Sequence, residues 1–115
     1  MRYASKTNIK ISPHAMQRIK ERTKLSARND IMKYISQARY YGIQIHLLDH
    51  TNYFNFGIPE NLFIYLKRHF YNYASDRLIL YRDNIFCFTG AKDRTLKTIM
   101  VVPKNYIGWW KNGKT

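Results

Sequence analysis

Three features of the sequence predict an α+β domain. Two helix signatures fill the first third of the chain, short antiparallel strands fill the last third, and the composition shifts between them. The expected architecture is two N-terminal helices packed on a C-terminal antiparallel β-meander, with an inserted strand and helix at about 43–74. A chain of 115 residues suits one domain, burying roughly two-thirds of its unfolded surface on folding. The expected layout is a core of 9–42 and 75–103, a neutral aromatic insertion at 43–74, and a basic Trp-containing tail at 104–115.

Ser12-Pro13 pairs an N-cap with a proline at the first helical position, and Ala15, Met16 and Ile19 form an apolar stripe, which predicts a helix over 13–23. A second helix is expected from Ser26, with Ile31, Ile35 and Ala38 at helical spacing and Gly42 to end it. Residues 43–47 alternate as a half-buried strand does, and 49–58 read as a loop. Pro59 then opens a third helix carrying Leu62, Phe63, Leu66 and Phe70, ending near Tyr73. From Arg77 the period changes to two. LILYR, a turn at Asp83-Asn84, IFCFT, a turn from Gly90 to Arg94, and LKTIMVV up to Pro103 read as a three-stranded meander. The tail from Asn105 has no assignable pattern.

Twenty Lys and Arg against seven Asp and Glu leave a net charge of +13. Residues 1–42 hold +8 and residues 75–115 hold +5, while 43–74 are neutral and carry eight of the eighteen aromatics. Such a balance favours polyanions, because each phosphate neutralised by Lys or Arg releases condensed counterion. Nucleic acid, RNA first, is the expected partner. The neutral aromatics have two readings, a partner surface or completion of the core. No apolar run reaches the ~20 residues of a membrane span and no leader pattern opens the chain, so no membrane partner and a cytoplasmic location are expected. Cys87 is the single cysteine, flanked by Phe86 and Phe88. It reads as a buried structural thiol.

The segment from Ser12 to Arg22 carries the most chemistry. On a helix, His14, Arg18 and Arg22 recur every four residues along one edge, beside the inward-facing Ala15 and Ile19. A titratable base and two fixed cations are a minimal set for RNA cleavage without metal. The base takes a 2′-OH proton and the cations hold the phosphorane. The same pattern also describes a solvated basic face. On the meander, Arg82 and Thr98 are expected to assist as phosphate contacts, with Lys97 beside them. In the tail, Trp109 and Trp110 near Lys104 either stack on bases or anchor the tail to the core. His46 and His50 have the spacing of a helical zinc pair, but their local pattern is strand and loop. No cofactor or metal is expected. Paired carboxylates, a Gly-rich phosphate loop and a nucleophile elbow are all missing from the sequence.

The Ser-x-His-Ala-x-x-Arg-x-x-x-Arg helix, the second helix after Leu25-Ser26, and the final strand Thr98-Ile-Met-Val-Val-Pro together resemble the small proteins grouped with BrnT and RelE. Their fold is named for barnase, EndoU, colicins and RelE. The resemblance covers 9–42 and 75–103 and skips the neutral segment. It implies two helices on a curved antiparallel sheet and, for many members, metal-independent endoribonuclease activity as the toxin of a toxin–antitoxin pair. His14 and Arg18 match the helix-borne His and Arg of that group, and Thr98 matches a polar position on its last strand. The strand and helix at 43–74 depart from the pattern, since members pass straight from the second helix into the sheet. An acidic antitoxin is the partner this implies. The alternative is a non-catalytic phage or mobile-element protein that binds nucleic acid or inhibits a host protein.

Overall fold

A computed structural model describes residues 9–70, 77–89 and 95–112. The chain forms β1 (Lys10–Ile11), α1 (Pro13–Thr23), α2 (Arg28–Tyr41), β2 (Ile43–Gln44), α3 (Glu60–Phe70), β3 (Arg77–Tyr81), β4 (Asn84–Thr89), β5 (Thr95–Val101) and α4 (Trp109–Asn112). Single 3-10 turns occupy Ile45–Leu47, Tyr53–Phe56 and Lys104–Tyr106. The α+β class and the helix-pair-plus-meander layout are as the sequence predicts. The sheet is larger than a meander, however. Its five strands run β1-β5-β4-β3-β2, with β1 parallel to β5 and every other pair antiparallel.

Alternation along β3 and β4 sends side chains to two separate cores. Ile79, Phe86 and Phe88 join Ala15, Ile19, Ile31, Ile35 and Ala38 beneath α1 and α2. Leu78, Leu80, Ile85 and Cys87 join Leu62, Phe63, Leu66 and Trp109 on the other side. The central strand β4 is therefore buried on both faces, which is why NIFCF reads as a continuous apolar run. The segment 43–70 supplies most of the cover for the second face. Phe63 lies in that core and Tyr53 and Tyr65 pack against it, while Phe54 and Phe56 point outward.

Local chemistry explains the helix ends. The Ser12 hydroxyl accepts from the Ala15 N–H at 3.0 Å and donates to the Lys97 carbonyl at 2.9 Å, which caps α1 and ties it to β5. Lys24 ends α1 in the left-handed region, at φ 64°. Ser26 does not cap α2. The capping position falls on Ala27, which offers no side-chain bond. Gly42 ends α2 as expected, but with φ −69° rather than a left-handed cap. Space explains this glycine, since a Cβ there would collide with Ile79 and with the Ala38 carbonyl.

Three other expectations are corrected. The strand expected over 43–47 stops at Gln44, because Ile45 and Leu48 are the buried pair and their three-residue spacing is that of a 3-10 turn. The turn expected at Asp83-Asn84 lies one residue earlier, with Arg82 and Asp83 as its central residues and Tyr81 opposite Asn84. The tail carries a helical turn, and Trp109 at its start is only 7% exposed. The expected end of the third helix near Tyr73, the turn from Gly90 to Arg94, and the last three residues of the tail lie outside the described residues.

Candidate nucleic-acid interface

Helix α1 lies over β5 and presents its basic edge on the α1/α2 side of the sheet. His14 is exposed, and its Nε2 accepts from the Arg18 Nε–H at 3.5 Å. Arg18 also pairs with Glu21 at 3.2 Å, and Glu21 accepts a second bond from Gln17 at 3.1 Å. The charge of Arg18 is therefore shared with a carboxylate, a partner that the four-residue spacing overlooked and a three-residue spacing would have found. Arg22, one turn further on, donates from Nη1 to the Ile99 carbonyl at 2.8 Å. No carboxylate pairs with it among the described residues.

At the C-terminal end of α1 a cleft of about 430 Å3 opens between the helix and the tail. Its walls include Arg22, Tyr34, Arg82, Asn84, Val101 and Trp110. Arg22 and Arg82 are 60 residues apart in sequence and line the same hollow. The Arg82 guanidinium lies 5.1 Å from the Tyr81 ring centre and 5.0 Å from that of Trp110. Each such contact contributes about 0.5–1 kcal/mol at an exposed site, and together they hold the cation over two ring faces.

Arg82 has φ 55°, a left-handed conformation that costs a side-chain-bearing residue about 1–2 kcal/mol. The two-residue hairpin between paired Tyr81 and Asn84 calls for it, and hydrogen bonds from the segment after β5 fix the turn. The Trp109 Nε1–H donates to the Arg82 carbonyl at 2.6 Å, the Gly108 N–H to Asp83 Oδ1 at 2.7 Å, and the Val102 N–H to the Asp83 carbonyl at 2.9 Å. Gly108 has φ 85°, and a side chain there would meet nothing, so backbone freedom explains this glycine.

The floor of the cleft is polar. The Tyr34 hydroxyl donates to Asn84 Oδ1 at 2.6 Å. Burial pushes its pKa from 10.0 up to about 12, against the lowering effect of the Arg82 charge. Tyr34 is thus a neutral donor at physiological pH. The indole N–H of Trp110 is buried with no hydrogen-bond partner among the described residues.

The remaining expected site residues are dispersed. Thr98 pairs with Cys87 across the β4–β5 ladder, so both face the α3 side. The ladder slips between Cys87 and Phe88, placing Lys97 at a bulge between Leu96 and Thr98. Thr98 is therefore across the sheet from His14 and does not join it. His14 itself is eight residues from Arg22, about 12 Å of helix. Trp109 is an anchor rather than a stacking platform, since its ring is buried and its N–H is committed to the turn. Lys111 lies over the Trp110 ring at 5.4 Å. Lys104 is exposed on the 3-10 turn before them. The cleft residues that sequence reasoning missed include Tyr34 on α2, and Asp83 and Asn84, read as turn formers.

No family model matches the chain, and no curated protein or solved structure matches it. Among the described residues, no helix is long and apolar enough to cross a membrane.

Proposed function

We propose that this chain binds single-stranded RNA on the α1/α2 side of its sheet, with the cleft at the end of α1 as the centre of the interface. The observation that carries the reading is the convergence of Arg22 and Arg82 on one cleft, in a chain of net charge +13. Guanidiniums bind phosphate oxygens through paired N–H donors and cannot lose their charge. The apolar side chains of Leu25, Val101 and Ile107 border the same cleft and suit the face of an unstacked base.

Binding of a fluorescent single-stranded RNA, followed by anisotropy between about 50 and 200 mM salt, tests the reading. Affinity is expected to fall steeply with salt, and replacing Arg22 and Arg82 by Ala should reduce the log–log slope by about two. Binding that ignores salt would reject a phosphate interface and point to a host protein as target.

A second reading, metal-independent RNA cleavage of the kind the BrnT/RelE resemblance implies, is favoured by the contact of Arg18 with His14. The contact sets a fixed cation beside an exposed imidazole, the pairing such cleavage uses. In this reading, His14 takes the proton of the 2′-OH, the 2′-oxygen attacks phosphorus, and the 5′-oxygen leaves with a proton from solvent, producing a cyclic phosphate. Arg18 holds the scissile phosphate, Arg22 further along the helix a neighbouring one, and Thr98 has no part. An acidic antitoxin would then cover this side. Incubation with RNA in EDTA, beside a variant lacking His14 and Arg18, decides it. Products formed equally by both proteins, or by neither, exclude cleavage by this site.

A further inference from the structure

Asp83 is unexpected where it stands. Only seven carboxylates occur in the whole chain, and this one lines a cleft whose other charges are the cations Arg22 and Arg82. A carboxylate at an anion site repels phosphate by its charge. Its geometry gives it a different task. Oδ1 accepts from the Gly108 N–H, and the Asp83 carbonyl accepts from the Val102 N–H. The neighbouring Arg82 carbonyl accepts from the Trp109 indole. All three donors belong to the segment after β5, and all three acceptors belong to the two residues of the β3–β4 turn.

The turn needs such support. Arg82 has φ 55°, in the left-handed region that glycine adopts without penalty and arginine does not. The two-residue β3–β4 hairpin itself calls for a positive φ at this position, and the bonds from the segment after β5 clamp the turn and with it the Arg82 guanidinium against Tyr81 and Trp110. A long side chain held in advance loses less rotamer freedom when it meets its ligand, so the same contact gives tighter binding.

We propose that Asp83 and Trp109 are positioning residues for RNA binding, holding Arg82 in the cleft as the contact for a phosphodiester of a single strand. The proposal rests on the nucleic-acid reading above. It makes a prediction that charge alone does not. Asp83→Ala and Asp83→Asn both remove one negative charge, and on electrostatic grounds both should tighten RNA binding. Asparagine keeps an oxygen able to accept from Gly108, whereas alanine does not.

The experiment measures affinity for one fluorescent single-stranded oligonucleotide at fixed low salt, with a thermal melt of each variant. Arg82→Ala is expected to weaken binding about tenfold. Asp83→Ala should weaken it about fivefold, and the double variant should bind no more weakly than Arg82→Ala alone. Asp83→Asn should bind up to about threefold tighter than the parent. Trp109→Phe, which keeps the ring and removes the donor, should weaken binding about threefold and serves in place of Asp83→Ala if that variant does not fold. Tighter binding by both Asp83 variants, or a Trp109→Phe protein that binds like the parent, would overturn the positioning role. No effect of Arg82→Ala would instead remove the cleft from the interface and with it the reading on which the proposal rests.

Discussion

The two sides of the sheet have the same job in folding and different surfaces. Beneath α1 and α2 lies a closed core with Phe86, Phe88, Ile31 and Ile35 fully buried, and beneath α3 lies another with Leu62, Leu66, Leu80 and Ile85 equally closed. Above those cores the sides diverge. The α1/α2 side carries the His14–Arg18–Arg22 edge and the Arg22–Arg82 cleft, whereas the α3 side ends in Leu47, Phe54 and Phe56, each about half exposed. A sheet buried on both faces needs apolar cover twice, but charge only where a partner calls for it. The contrast separates the neutral segment, which covers the second core, from the basic segments on which the proposed binding rests.

The largest expected effect comes from the shared strand. Phe86→Ala should cost about 3–5 kcal/mol, because a fully buried ring leaves a cavity; denaturant unfolding measures it, and a loss below 1 kcal/mol would contradict the packing described. Next in size is binding by the cationic side. Replacing Arg22 and Arg82 together should weaken RNA binding about a hundredfold, near 2.7 kcal/mol, with the fold intact by circular dichroism. Phe54→Ser with Phe56→Ser, on the other side, should leave RNA affinity unchanged. If both pairs weakened binding alike, the division between the sides would fail.

Gly42→Ala should destabilise by about 1–3 kcal/mol, because the added methyl meets Ile79 and the Ala38 carbonyl where α2 closes onto β3. The smallest effect concerns pH. The folded-state pKa of Tyr34, about 12, lies above its ordinary 10.0, so the folded protein holds the phenolic proton more tightly. Its contribution is complete below about pH 10 and is lost as the pH rises toward 12. Urea midpoints measured from pH 9 to 12 should fall more steeply for the parent than for Tyr34→Phe; parallel curves would mean that Tyr34 is not buried as described.

The elements of the fold were legible wherever their causes are local. Ser12-Pro13 announces α1 because capping is decided within four residues, and LILYR and IFCFT announce strands because short apolar runs rich in aliphatic and aromatic residues, bounded by turns, suit a buried strand. Boundaries slipped where a neighbour in space decides them. Gln44 ends its strand because Ile45 and Leu48 turn inward together, and Arg82 enters the turn because the β3–β4 register pairs Tyr81 with Asn84. Of the site, the α1 edge could be read from spacing, but Glu21 was overlooked, and the placing of Thr98 required knowing which face of the sheet it shares with Cys87.

The sequence by itself determined the class of the fold, the two helices, the strands of the meander and the location of the charge, because helix caps, side-chain period and composition act over a few residues. Only the tertiary structure decided that β4 is covered on both faces and that the tail grips the β3–β4 turn. It also decided that Arg22 and Arg82 share a cleft while His14 and Thr98 lie on opposite sides of the sheet. Those outcomes depend on which face each element buries, a choice set by long-range packing.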